Sequence, residues 1–403
     1  MLGEHQQENK EKFDRKKVRL ISFISFILGF LDAFLLYVLS SYFARISGEG
    51  MVGGFYFIAF VLVFWFLMRL QPLIHGVGSV RLLALFMSGL IATSFYLSLG
   101  EPSWFGAAAL LIYLVCSNLV WSVLDVLLED FSSDQVSGRV RGFYLTILNL
   151  GLLLAPILST RTLSTAGYQG IFTTLAFGYG LVLIITLTGL GGHVTASLPR
   201  IAFRETLKKV SREKNLLLIY AVSWTLEFFY GVMIVYAPIL LLSKGFAWEE
   251  IGIIFTIMLI PFVILQYPLG VLADKRLGEK ELILGALVIM AIATSMVGFT
   301  RSTDLVVWAT LLFATRLGAA AIEVLRDSYF YKQIKPGDTD IVAFFRTARP
   351  TANIVAAGVS LIFLSLFTIH SLFYLVGAIA LVVSFAVTRL DDSKSEKERE
   401  TAG

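Results

Sequence analysis

Apolar residues fill twelve long stretches of this 403-residue chain, near 19–45, 52–68, 82–99, 104–128, 142–160, 169–190, 215–242, 251–272, 281–299, 305–325, 341–369 and 371–388, with charged breaks between them. A bilayer core about 30 Å thick takes about 20 residues of helix to cross, and away from water only a helix or a closed barrel satisfies every backbone N–H and C=O. The stretches are too long and too uniformly apolar for the alternating strands of a barrel. The pattern therefore predicts an all-α, polytopic membrane protein with twelve transmembrane helices, whose solvent is the lipid bilayer.

Composition agrees: 57% hydrophobic residues, 33 Phe and a mean hydropathy of +0.79 lie beyond the range of a soluble domain. The basic segment from Lys10 to Arg19 precedes a run longer than a signal-peptide core and without a small-residue cleavage site, so it is read as an uncleaved first span. Of 33 Lys and Arg, only Arg45, Arg161, Lys244 and Arg301 fall on one side of the predicted topology and Arg316 inside a span. The rest lie on the other side, which the positive-inside rule makes cytoplasmic. Both termini are accordingly expected in the cytoplasm, with the chain a multi-pass protein of the cell membrane. The net charge of +4 then reports topology rather than nucleic-acid binding. A single cysteine, Cys116, excludes an intrachain disulfide and falls in a span as a small apolar residue.

The longest polar interruption, 191–214, divides the spans into two sets of six. The expected organisation is a cytoplasmic tail (1–18), an N-terminal six-helix bundle (19–190), a basic cytoplasmic linker (191–214), a C-terminal six-helix bundle (215–389) and a charged tail (390–403). In the linker Phe203, Leu207 and Val210 recur at helical spacing among Arg204, Lys208, Lys209 and Arg212. Two readings stand: a basic helix on the anionic membrane surface, or a solvated linker that enforces topology. The halves also resemble each other. Asp32 in span 1 matches Glu227 in span 7, and Ser117-Asn118-Leu119 through Asp125 and Glu129 in span 4 match Thr315-Arg316-Leu317 through Glu323 and Asp327 in span 10. Such a duplication predicts two pseudo-symmetric six-helix bundles around a cavity, an architecture suited to alternating access.

In the loop between spans 8 and 9, Gly270, Asp274, Lys275, Gly278 and Lys280 resemble the cytoplasmic loop signature of the major facilitator superfamily of transporters, and the likeness extends over essentially the whole chain. Gly142, Gly151, Ala155, Pro156 and Ser159 in span 5 are spaced like that family's antiporter motif, with small residues in place of two glycines. Two positions depart from the family: His75 stands where the loop 2–3 signature has an aspartate, and Asn118 where many drug antiporters have an arginine. The resemblance implies that spans 1, 4, 7 and 10 line a central path on which Asp32, Asn118, Glu227 and Arg316 converge as a substrate and proton site.

An ionisable residue in mid-span costs about 2.5–3.5 kcal/mol on insertion scales and normally faces a cavity or a partner. Asp32, Glu227 and Arg316 are in this position. Asp32 shares its helical face with Ser25, Gly29 and Ser40, and Glu227 shares its face with Tyr220, Trp224 and Gly231. The favoured pairing is Glu227 with Arg316, with either acid as a proton carrier or as a neutralising partner for the arginine.

A second charged group is expected at the cytoplasmic ends of spans 4 and 10: Asp125, Glu129 and Asp130, then Glu323 and Asp327. Carboxylates are unfavourable beside the free carbonyls of a helix C-terminus and call for cations. Arg139, Arg141, Lys275, Arg346 and Arg349 are available. With Gly270 and Asp274 these residues form a candidate cytoplasmic gate, set against the plainer reading of charges that fix topology. In span 5, Gly142, Gly151 and Ala155 offer small surfaces for close helix packing, while Pro156, and Pro238, Pro261 and Pro268 in spans 7 and 8, predict bends.

Enzymatic chemistry is not indicated. The four histidines, His5, His75, His193 and His370, lie outside the spans or at their ends, with no zinc-like pair and no phosphate-binding glycine loop. No cofactor or metal is expected, nor an ATP-driven cycle. The sequence reads as a monomeric secondary active transporter of a small-molecule substrate coupled to protons, favouring export of organic or amphipathic compounds. The span-5 pattern and Trp121, Trp224 and Tyr230 support this reading. Proton-linked uptake of a sugar or other polar solute, supported by Glu129 and Arg139 to Gly142, and a non-transporting receptor on the same fold remain as alternatives.

Overall fold

The computed structural model describes residues 15–131, 137–190, 203–273, 278–334 and 339–391, with side chains throughout except at 15, 18, 128–131, 137–150, 203–205, 267, 339 and 343. The first part contains α1 (Arg15–Leu36), α2 (Leu39–Ser47), α3 (Val52–Leu67), α4 (Leu70–Val77), α5 (Ser79–Ser98), α6 (Trp104–Phe131) and α7 (Ser137–Leu190). A short α8 (Phe203–Val210) follows, then α9 (Lys214–Ser243), α10 (Trp248–Ile264), α11 (Gln266–Leu272) and α12 (Glu279–Phe299). The chain continues through α13 (Leu305–Gln333), α14 (Thr339–Arg346), α15 (Ala348–Leu366) and α16 (Ile369–Val387). Among the described residues eleven apolar helical stretches are long enough to cross a bilayer. One of them, Gly151–Leu190, is divided at Gly167, where φ is 63°, a conformation glycine adopts without a Cβ penalty. It supplies spans 5 and 6, which gives twelve crossings among the described residues, and the protein is a multi-pass membrane protein.

Several spans are built from two consecutive helices, and three of the breaks have one cause. Proline lacks an N–H and its ring crowds the carbonyl four residues back. The break at Met68–Arg69 lies four residues before Pro72, α10 ends at Ile264 four before Pro268, and α14 ends at Arg346 four before Pro350. The bend expected at Pro268 is present; Pro156, Pro238 and Pro261 lie inside α7, α9 and α10 without ending them. Span 1 is also interrupted, at Tyr37–Val38, where Ser41 Oγ donates to the Val38 carbonyl at 2.6 Å.

The chain divides into two compact units, one of residues 1–35 and 61–198, the other of 36–60 and 199–403. The division at 198–199 falls in the expected linker, whereas the stretch 36–60 groups with the second unit. Ser40 therefore lies past the helix break and outside the unit that holds Asp32.

Packing repeats from one unit to the other. In the first, α5 packs on α6 and α7, with Thr186 Oγ1 3.8 Å from Met87 Sδ. In the second, α12 packs on α13 and α16. Span 3 with spans 4 and 6 is thus matched by span 9 with spans 10 and 12. The small-residue crossings repeat as well. A Cβ on Gly151 would come within 3.3 Å of the Phe26 carbonyl and Phe30 nitrogen of α1. One on Gly231 of α9 would meet Asn353 Oδ1 at 2.9 Å and Ala356 Cβ at 3.0 Å on α15. Span 5 against span 1 corresponds to span 11 against span 7: two pseudo-symmetric bundles, as the duplicated sequence predicts. Cys116 packs against Gly89 of α5.

The basic stretch of the linker is helical in α8. Val210 is buried beside Leu216, Tyr220 and Phe344, Leu207 is exposed, and Lys209 Nζ lies 3.6 Å from Asp340. The C-terminal part of its apolar stripe is therefore satisfied by protein.

Candidate functional site

In the first unit, Asp32 of α1 is held by four side chains that carry no formal charge. Tyr179 of α7 donates to Oδ1 at 2.7 Å and Tyr113 of α6 approaches the same oxygen at 3.5 Å. Ser117 donates to Oδ2 at 3.0 Å, and the Trp121 indole N–H donates to that oxygen too. Tyr113, Ser117 and Trp121 are successive fourth residues of α6 and so share one face of the helix. The Tyr113 and Tyr179 hydroxyls also bond each other. Among the described residues no cation pairs with Asp32. Sequence reasoning placed Trp121 near the site and missed Tyr113 and Tyr179; the spacing of Tyr113 from Ser117 was the available signal, whereas Tyr179 is brought in by the tertiary fold. Asn118, expected to face Asp32, turns back along α6 and donates to the Leu114 carbonyl at 2.8 Å.

In the second unit the expected Glu227–Arg316 pair is not formed. Glu227 Oε1 pairs with Arg326 Nη2 at 3.0 Å, and Arg326 Nη1 donates to Ser223 Oγ at 2.8 Å. The reason is depth: Arg316 lies ten residues earlier on α13, about 15 Å along the helix axis. Arg326 Nε also lies 3.5 Å from Asp327. Glu323 is likewise relocated. α13 runs on to Gln333, so Glu323 lies ten residues before the end of the helix instead of at its C-terminus, and it accepts the Tyr230 hydroxyl at 3.1 Å.

Arg316 is 1% exposed, and its Nη1 has no hydrogen-bond partner among the described residues. Its guanidinium lies 4.9 Å from the centre of the Phe229 ring and 5.7 Å from that of Tyr230, with the Tyr37 phenol close enough to feel its charge. Each cation–π contact contributes about 0.5–2 kcal/mol, which only partly offsets the desolvation of a guanidinium. Tyr230 joins the two groups, its ring turned to Arg316 and its hydroxyl given to Glu323.

Of the expected gate, Asp125, Arg346 and Arg349 are exposed, and Gly270 stands 3.8 Å, measured from a built Cβ, from Val324 of α13. Asp274 and Lys275 lie outside the described residues, as do the side chains of Glu129, Asp130, Arg139 and Arg141 and the environment of Gly142. Gly151, Ala155 and Pro156 of the span-5 motif are buried. A pair the sequence did not signal closes the end of loop 8–9: Glu279, fully buried in the first turn of α12, accepts from Lys332 and, at 2.7 Å, from Ser328 of α13. Free N–H groups at a helix N-terminus favour a carboxylate there. Beside it, Asp391 accepts from Asn215 Nδ2 at 3.0 Å and its carbonyl accepts from Tyr329 at 2.9 Å, tying the end of span 12 to spans 7 and 10.

Two duplicated helical bundles with ionic side chains inside their spans define a multi-pass membrane transporter fold. The sequence matches the family model of the Major Facilitator Superfamily over residues 20–322 and 216–403. The chain belongs to that superfamily and is a secondary transporter. No curated relative matches the sequence. Its fold is similar to that of a POT family transporter solved in complex with a thioalcohol-conjugated peptide, with a TM-score of 0.72 at 12% identity over 92% of this chain and 95% of that one. It is also similar to the peptide transporter POT in complex with sulfate, with a TM-score of 0.70 at 13% identity over 95% and 97% of the two chains.

Proposed function

We propose that the protein is a proton-coupled transporter in which Asp32 carries the proton. The observation behind this is the set of partners around Asp32. Tyr and Ser hydroxyls can donate or accept, so those of Tyr113, Ser117 and Tyr179 can turn to suit either the carboxylate or the carboxylic acid. Glu227 is instead committed to an ion pair with Arg326, which a proton on the carboxylate would break. A group that exchanges a proton without leaving a buried partner unsatisfied is the better carrier. The proposed cycle is alternating access by a monomer in the cell membrane, with both termini cytoplasmic as the distribution of Lys and Arg indicates.

Export of small organic or amphipathic compounds is the direction we propose, from the span-5 pattern and its close packing at Gly151. The two similar structures are those of a POT family transporter and a peptide transporter, but identities of 12% and 13% carry the fold and leave the substrate to experiment. Purified protein in proteoliposomes, loaded with a panel of neutral, anionic and cationic solutes, tests the reading. An imposed pH gradient should drive uphill movement of one class opposite to the protons. Movement with the protons would replace export by uptake of a polar solute, and no gradient dependence for any class would remove proton coupling.

A further inference from the structure

We propose that Arg316 is the receptor for an anionic group on the transported solute, which makes the substrate class small organic anions with an apolar or aromatic body. The proposal rests on the transporter reading above and adds the chemistry of its ligand.

α13 carries three basic side chains, Arg316, Arg326 and Lys332. Arg326 is matched by Glu227 and Asp327, and Lys332 by Glu279. Arg316 is the most buried of the three and has no carboxylate partner among the described residues: its ion-pairing edge is unfilled at Nη1, and its face is turned to aromatic rings. A guanidinium stays charged at any working pH, so it cannot escape burial by losing its proton. Glu323, a carboxylate on the same helix, is instead engaged by Tyr230 and lies seven residues away, about 10 Å along the axis. The described residues hold no carboxylate in this place, so the partner we assign to it is a group on the solute.

Shape narrows its identity. The planar fork of arginine matches the two oxygens of a carboxylate or a comparable oxyanion. The Tyr37 phenol beside the guanidinium offers a further neutral donor, and its ring packs on Phe255 at 4.7 Å between centroids. Phe229 and Tyr230 complete an aromatic wall suited to an apolar body. Because Arg316 is covered in this conformation, the anion enters only when Tyr37, Phe229 and Tyr230 give way, as an alternating-access cycle requires.

Equilibrium binding to the purified full-length protein tests this with three probes of one shape: 3-phenylpropionate, 3-phenylpropionamide and 3-phenylpropylamine. Calorimetric titration should show the carboxylate binding at least about tenfold more tightly than the amide, and the amine not at all. Arg316→Gln should abolish that preference, and Arg316→Lys, which keeps the charge without the fork, should retain part of it. Tyr37→Phe should weaken the carboxylate several-fold, a readout that does not depend on an Arg316 variant folding. Equal affinity for carboxylate and amide, a preference that survives in a folded Arg316→Gln protein, or no binding of the carboxylate overturns the proposal. No gradient is applied, so failure of proton coupling in the flux assay and failure here are separate results.

Discussion

Arg326 Nη2 of α13 lies 3.0 Å from Glu227 Oε1 of α9, a buried ion pair that joins spans 7 and 10. Asp32, by contrast, is held by neutral side chains, and Arg316 is a fully buried base with no carboxylate partner among the described residues. The pair predicts a specific mutational pattern. Arg326→Gln alone should destabilise the protein by about 3–5 kcal/mol, because it strands the buried Glu227, and Glu227→Gln by less, because Arg326 keeps Asp327 at 3.5 Å. The double variant should recover a large part of that loss. Thermal unfolding of the four proteins in detergent closes the cycle, and additive losses would show that the two side chains are not coupled.

Gly151 is predicted to be intolerant of larger side chains. Its built Cβ already meets the Phe26 carbonyl and the Phe30 nitrogen at 3.3 Å, both of them backbone atoms that cannot rotate away. Gly151→Ala should cost about 1 kcal/mol and Gly151→Leu about 3 kcal/mol or more, the range of overpacking at a close contact. Unfolding midpoints of the two variants check the order, and a Leu variant as stable as the wild type would mean that α7 and α1 are not in close contact there.

The clasp at Asp391 should make stability depend on acid. The side-chain amide of Asn215, reinforced by Lys214 at 3.5 Å, holds the Asp391 carboxyl below its usual range. A carboxyl that is more acidic in the folded state stabilises fully above its unfolded pKa, about 4, and loses that contribution as the pH falls through the lowered folded value. The group is exposed, so the effect is small. Unfolding midpoints measured from about pH 6 down to about pH 3 should fall less steeply in Asp391→Asn than in the wild type. Parallel curves would assign the acid sensitivity elsewhere.

Much of the fold was legible in the sequence because a bilayer imposes one rule, a run of about 20 apolar residues for every helical crossing. The match of Asp32 with Glu227 carried the duplication, and the intramembrane position of Arg316 marked it for function. Pairing was harder to read, since helical spacing fixes which residues share a face but leaves open the depth at which two helices meet. Arg326 occupies the place of Leu128 in the repeat, so the duplicated pattern pointed away from it as the partner of Glu227. The predicted end of span 10 near residue 325 put Glu323 among terminal charges, because Arg326 and Asp327 look like a boundary when their neutralising contacts are not in view. Tyr179 and Glu279 carried no local signal: each acquires its role from a helix distant in sequence.

Proton movement in proteoliposomes carrying Asp32→Asn tests the central claim most directly. An outward gradient of whichever solute gives the largest pH-driven flux in the wild type is imposed, and internal pH is followed with a trapped dye. The account predicts that the wild type shows solute-driven proton flux, that Asp32→Asn shows none, and that the variant still exchanges solute down its gradient. Proton flux in Asp32→Asn equal to that of the wild type would contradict it.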